Sequence, residues 1–203
     1  MGRGLVLLLL TSFNLLAADV PGGHARTAEI VTPNTFEFRL SPTYLISPSG
    51  AYLTTEVRYQ PSEDFGTGLS FGAGEVGYNF GLNGTWYIFP DTKSQPGFSL
   101  LGGLYFNRIE FQSFFVFRLA PTLSKVFKMS WGQLVPYAGM PLSPSFHLGG
   151  GANEFSVKSV AGLSAELKSF GAVRLWTEVG IGVVKSFHEI LIGLSCPFST
   201  LGG

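Results

Sequence analysis

Charge is what this 203-residue chain has least of. Asp, Glu, Lys and Arg together make up 13%, against roughly 25% in typical soluble domains. The 13 Lys plus Arg balance the 13 Asp plus Glu, so the formal net charge is zero. A balanced chain has no bulk attraction for nucleic acid. The single cysteine, Cys196, excludes an intramolecular disulfide framework and any cysteine-based zinc cluster. The three histidines, at 24, 147 and 188, are too scattered to give metal-ligand spacing. After the amino-terminal leader no apolar run is long enough for a transmembrane helix. No run with a 3.6-residue period and helix caps is present either. A water-facing surface needs more charge than this chain has to offer. Either most of the surface is covered by a partner, or part of it does not meet water.

What the chain does have is glycine, 27 residues, and phenylalanine, 19. It also has a start that reads as a targeting segment. Arg3 supplies the positive end, Leu5 to Leu10 the apolar run, and Ala17-Ala18 the small residues before Asp19 and Pro21-Gly22-Gly23. This is the pattern of a secretory signal peptide cleaved near Ala17 or Ala18. The run is shorter than the ~20 residues of a membrane anchor. No cysteine follows it for lipoprotein processing. The expected organisation is a signal peptide over 1–18, a periplasmic amino-terminal segment over 19–33, a barrel over 34–198 and a tail over 199–203.

From residue 34 the sequence alternates almost without pause, with the two-residue period of β-strands. Tyr78, Phe80, Leu82, Trp86 and Ile88 share one parity; Asn79, Gly81, Asn83 and Thr85 share the other. Ten such strands can be read. The first opposes Phe36, Phe38, Leu40 and Tyr44 to Glu37, Arg39, Ser41 and Thr43. The last opposes Ile190, Ile192, Leu194 and Phe198 to Glu189, Gly193 and Ser195. The seventh, around Leu134 to Leu142, is weakened by Pro136 and Pro141. Turn signals separate the strands, among them Ser47 to Gly50, Pro61 to Asp64, Pro90 to Pro96 and Lys168 to Gly171. The chain is expected to be all-β, in up-and-down antiparallel hairpins.

Parity alone does not say which face meets solvent. A soluble sandwich hides the apolar face; a membrane barrel turns it outward to lipid and keeps the polar face inside. Three features favour the barrel. The strands approach the ~9–11 residues that span a bilayer. The polar parity is rich in Gly and Ser, as a narrow lumen requires. An export signal precedes it. Lipid forbids open strand edges, so the sheet must close. With both termini on one side the strand count is even; ten fits, and eight is the alternative.

The polar parity carries Glu37, Glu56, Glu166, Glu178 and Glu189 against Arg39, Arg58, Arg118, Lys158 and Arg174. Charges confined in a narrow barrel are costly unless paired. Equal numbers predict a neutral internal salt-bridge network rather than a charge-selective channel. Trp86, Tyr44, Tyr59, Phe65, Phe98 and Phe198 fall near strand ends, as interfacial girdles do. Exterior turns are expected near 47–50, 74–77, 107–112, 143–153 and 185–187. These are short, which argues against a loop-borne adhesin.

Several motifs are decoys. Gly72-Ala-Gly-Glu-Val-Gly77 matches a dinucleotide fingerprint, which needs a helix after it. Gly68-Leu-Ser-Phe-Gly72 matches a nucleophile elbow, which needs a strand-to-helix turn. Asn83-Gly-Thr85 is a sequon in mid-strand. For a barrel hydrolase the candidates are His147, in the longest exterior turn, and Ser186, His188 and Glu189 by the last one. Alternation puts His188 and Glu189 on opposite faces. No catalytic, cofactor or metal residue is assigned.

The signal peptide, the Gly-aromatic strands and the closing Ile190-Leu-Ile-Gly-Leu-Ser-Cys-Pro-Phe198 carry a resemblance. The chain resembles the small outer-membrane β-barrel proteins of Gram-negative bacteria, a group that includes the OmpA, OmpX and OmpW barrels. The final stretch is similar to the carboxy-terminal assembly signal of such barrels. The resemblance implies an outer-membrane location, with outer-membrane lipids and the assembly machinery as partners, no nucleic acid and no cofactor. It implies no particular activity. The expectation is a monomeric, non-enzymatic barrel with a lumen filled by side chains, in a structural, adhesive or small-solute transport role. Two alternatives remain: a lipid-modifying barrel enzyme, and a secreted soluble β-barrel or sandwich binding a hydrophobic ligand.

Overall fold

A computed structural model of the chain describes residues 19–22, 27, 32–47, 49–167 and 173–199. The expected leader, the turn at 168–171 and the tail beyond Ser199 lie outside these. Among the described residues every regular element is a strand. They are β1 (Thr35–Ser47), β2 (Ser49–Gln60), β3 (Phe65–Gly74), β4 (Gly77–Phe89), β5 (Gly97–Ile109) and β6 (Gln112–Ser124). Then follow β7 (Phe127–Met129), β8 (Gly132–Gly139), β9 (Leu142–His147), β10 (Glu154–Leu167), β11 (Arg174–Val184) and β12 (His188–Ser199). Each pairs antiparallel with its neighbour, and β12 returns to β1, from Thr35 opposite Ser199 to Ser47 opposite His188. The sheet closes on itself through the β12–β1 and β10–β11 pairings, and the short β7 extends past the ring, paired with β8.

The twelve segments make ten walls. β8 pairs with both β6 and β7, so β7 continues β6 past a break at Lys125–Val126. β8 and β9 occupy one position between β6 and β10, interrupted at Met140–Pro141. This is the expected seventh strand, longer than its reading and split by Pro141, which has no N–H for the ladder. The break stays tied to both sides: the Met140 N–H donates to the Pro121 carbonyl, and the Lys158 N–H to the Pro141 carbonyl. Because β9 runs on to His147, the distal turn expected over 143–153 is shorter than anticipated.

Asn34 and Ser199 mark one end of the barrel, here called proximal. The distal end carries the β1–β2, β3–β4, β5–β6, β9–β10 and β11–β12 turns. The β3–β4 turn depends on Gly77, at φ 140°. Any Cβ there would strike the Arg108 carbonyl oxygen, and L side chains rarely take that φ.

The two faces of the wall are inverted relative to a water-soluble protein. Leu69, Phe71, Phe80, Leu82, Trp86, Ile181 and Ile192 are exposed, Ile192 at 65%. Phe36 is half-buried between Tyr59 and Phe198, whose ring centroids lie 4.8 and 5.7 Å away. The residues that a hydrophobic-ligand sandwich would enclose therefore face outward. Aromatic pairs mark both ends of this belt. Phe65–Trp86 and Phe89–Phe98 join the Phe198–Phe36–Tyr59 stack proximally, and Tyr78–Phe106–Phe115 lies distally. Such rings suit the two interfaces of a bilayer.

Inside, the glycines make room for rings. Tyr105 lies directly opposite Gly81, Tyr137 opposite Gly162, and Trp176 opposite Gly193. A methyl at any of those glycines would collide with the ring. Tyr52 covers Gly72 in the same way, 2.6 Å from where a Cβ would sit. A ring laid over a cross-strand glycine fills the space its missing side chain leaves. Reading the polar parity as rich in Gly and Ser left unnamed the buried Tyr52, Tyr87, Phe114, Tyr137 and Trp176.

Candidate functional site: the lumen and its amino-terminal strap

The ten charged residues expected in the lumen all lie on the inner face. Glu56, Arg58, Arg118, Lys158, Glu178 and Glu189 are buried, and Glu37, Arg39, Glu166 and Arg174 are half-buried toward the proximal end. Nine of them fall into two groups with different wiring, and the tenth, Glu178, accepts from the Tyr137 hydroxyl at 3.2 Å.

The proximal group is built across neighbouring strands. Glu37 faces Arg58, and Arg39 faces Glu56, on the β1–β2 ladder; Glu166 faces Arg174 on β10–β11. Glu37 forms an ion pair with Arg39 at 3.2 Å and accepts a hydrogen bond from Arg58 at 3.3 Å. Arg58 also donates to the Tyr87 hydroxyl at 3.0 Å. Asn83 donates to Glu56 at 3.0 Å. The Arg39 guanidinium lies 5.6 Å from the centroid of the Trp176 ring. Arg174 meets Glu166 at 2.9 Å. A small cavity among Thr27, Arg39, Tyr137, Ser164, Arg174, Trp176 and Ser195 adjoins these pairs.

The distal group is built around a residue outside the wall. Asp19 was expected to precede the barrel, in a periplasmic segment. It is instead 1% exposed, inside the lumen. Its Oδ1 accepts from Arg118 at 2.8 Å and its Oδ2 from Lys158 at 3.1 Å. The Ser186 hydroxyl also donates to Oδ2. Asn107 donates to the Asp19 carbonyl at 3.0 Å, and Arg118 to the Val20 carbonyl at 2.7 Å. Lys158 bridges onward to Glu189 at 2.9 Å, and Glu189 accepts the Gly22 N–H at 3.2 Å. Val20 completes an apolar cluster with Tyr105, Phe114 and Val116. The internal network therefore includes a sixth acid beside the five expected, one that parity could not find because Asp19 belongs to no strand.

Above this cluster the distal mouth is apolar. Leu45, Ile109 and Phe187 are fully buried together, with Val76 against them. Lys158 Nζ lies 6.0 Å from the centroid of the Phe187 ring. The axis is thus occupied in sequence by an apolar lid, the amino-terminal residues, and the proximal charge pairs.

The hydrolase candidates are engaged elsewhere. Ser186 donates to Asp19, and Glu189 takes Lys158 and the Gly22 N–H. The Nδ1 of His147 accepts the Gly149 and Gly151 N–H groups, and its ring sits edge-on to Phe114. The dinucleotide-like glycines run from β3 through a turn into β4, and the elbow-like Ser70 is buried within β3, with no helix after either.

No family model matches the chain, and no curated protein matches it. Among solved structures it is similar to the crystal structure of the beta domain of the Bordetella autotransporter BrkA. The identity is 9% and the TM-score 0.47, covering 81% of this chain and 98% of that one.

Proposed function

We propose that this chain is an integral outer-membrane β-barrel, closed along its axis and non-enzymatic, with a structural role in the envelope. One observation carries the reading: the exposed surface is a belt of Phe, Leu, Ile and Val, while Arg118, Lys158, Glu178 and Glu189 are almost fully enclosed. In water that arrangement is doubly unfavourable, exposing apolar area at ~25 cal/mol per Å2 and removing charge from solvent. In a bilayer the first cost disappears. The expected signal peptide supports export, and the short distal turns disfavour adhesion through loops. A lumen occupied along its length disfavours free diffusion through it. These features also fit the resemblance to small outer-membrane barrels of Gram-negative bacteria.

Fractionation tests the location. The protein is expected in the outer-membrane fraction, soluble only with detergent, and its unboiled form is expected to migrate differently from the boiled form on gels. A monodisperse protein in plain buffer would overturn the reading. In planar bilayers the wild-type barrel is expected to show no large stable single-channel steps.

A further inference from the structure

We infer that the lumen contains a peptide-binding site, built from Arg118, Lys158, Ser186 and Asn107, and that its ligand is the chain's own strap beginning at Asp19. The inference rests on the closed-barrel reading and names what does the closing.

The site reads the strap at successive positions. At Asp19 it reads a carboxylate, taking both oxygens with two cations and a hydroxyl from three different strands or turns. At Val20 it reads an apolar side chain, between Tyr105, Phe114 and Val116. Pro21 is buried and contributes a fixed φ, so less chain entropy is lost on docking. At Gly22 it reads the absence of a side chain: φ is +89°, and a Cβ would collide with Thr54. The main chain is read as well. Strap carbonyls and N–H groups have no ladder to join, and such groups need partners when buried. Asn107, Arg118 and Glu189 supply them. Ligand chemistry follows: an extended peptide with an acidic residue, then an apolar one, then a glycine two places further.

The placement suits a processed chain. Cleavage near Ala17 or Ala18 leaves Asp19 first or nearly first, so the ligand ends beside the apolar lid. Thr27, the next described residue of this segment, lines the cavity beside Arg39, Arg174 and Trp176. Side chains alone fill an eight-stranded barrel. Ten walls leave more room, and the strap occupies it. With the strap out, Ser186 would be released from Asp19 together with the adjoining lid residue Phe187, the lumen would open, and Arg118 and Lys158 would lose their shared carboxylate. The pathway so exposed is expected to prefer anions.

The test uses the full chain with Asp19→Ala and Val20→Lys together, which removes the carboxylate and sets a third cation against the two in the site. Folding is checked by heat-modifiable mobility. In planar bilayers the double variant is expected to show stable steps with anion preference, absent from wild type. A synthetic peptide Asp-Val-Pro-Gly-Gly, added in solution, is expected to suppress them; the same peptide starting with Asn is expected to need at least tenfold more. A folded double variant as silent as wild type would overturn the strap's role and leave the closed-barrel reading standing. Large steps from wild type would overturn both. A second measurement does not depend on the double variant folding. In a Cys196→Ser background, Val20→Cys is expected to react with a polar maleimide at least tenfold more slowly than Phe111→Cys, at the 94% exposed turn position. Equal rates would show that the strap is not docked.

Discussion

The two halves of the lumen solve the same problem in different ways. Both must hold charge away from water. In the proximal half the ion-pair partners sit opposite one another on adjacent strands, and water reaches the outermost pair: Arg174 and Glu166 are 22% and 30% exposed, although Arg58 and Glu56 are buried. In the distal half Arg118 and Lys158 are 2% and 0% exposed. They belong to non-adjacent walls and meet only through Asp19, far away in sequence. Local pairing tolerates some solvent and needs no guest. A dry, shared centre needs one. The difference predicts that a substitution in the distal half costs more, and that its cost spreads to residues on several strands.

The largest effect is expected from Asp19→Ala. Removing the shared carboxylate leaves two enclosed cations short of a partner, and breaking a buried pair from one side costs about 3–5 kcal/mol. Urea unfolding from lipid vesicles measures it. Arg118→Ala should cost a similar amount, and the Asp19→Ala/Arg118→Ala double variant much less than the sum, because the two act on one interaction. Full additivity would mean that the distal centre is not shared, and the contrast between the halves would fail.

Next comes the lid. Leu45→Ala removes a fully buried side chain from the cluster with Ile109 and Phe187. The expected cost is about 2–5 kcal/mol, the spread reflecting how far the mouth can collapse. Among the described residues the proximal half has no equivalent apolar cluster to lose. If the same substitution also loosens Val20→Cys protection, lid and strap form one unit; if it does not, they are independent layers.

The contrast explains what could be read from the sequence and what could not. A two-residue period fixes which side chains share a face, so the separation of the apolar belt from the ten charges and the hairpin order followed from alternation, while turning the charged face inward also took strand length, the Gly- and Ser-rich polar parity and the expected export signal. Pairs such as Glu37 with Arg58 follow from the same logic once two strands are joined by a short turn. Asp19 obeys no period. It lies in a stretch without strand pattern, next to the expected cleavage site, and composition gave no reason to bring it inside. Its one sequence clue is chemical: a short Asp-Val-Pro-Gly motif whose glycine and proline fix a backbone shape in a segment that otherwise had no assigned job. The inward aromatics were hidden differently. Tyr137 and Trp176 share the parity of the polar face, and their meaning depends on Gly162 and Gly193 in the neighbouring strand. That cross-strand relation becomes visible only when register is known. Pro136 and Pro141 obscured one wall, since a strand interrupted at a proline keeps its neighbours and its place in the sheet without keeping an unbroken ladder.

Smaller effects are expected proximally. Glu37→Gln weakens the charge-assisted bonds to Arg39 and Arg58 but leaves an oxygen to accept, and a loss of about 1–3 kcal/mol is expected. Glu166→Gln should cost less still, about 0–1 kcal/mol, as partly solvated pairs do. This last variant gives the sharpest use of the comparison, because salt separates the halves. At 0.1 M ionic strength the screening length is about 10 Å, and at 1 M about 3 Å. Ions reach Arg174 and Glu166, so the cost of Glu166→Gln should vanish between those two conditions. They do not reach the enclosed Asp19, Arg118 and Lys158, so the cost of Asp19→Ala should persist nearly unchanged. Measuring both variants at both salt concentrations turns a difference in exposure into a difference in slope. A distal cost that falls with salt as fast as the proximal one would mean that solvent ions enter past the lid, and the centre around Asp19 would then be no drier than the pairs below it.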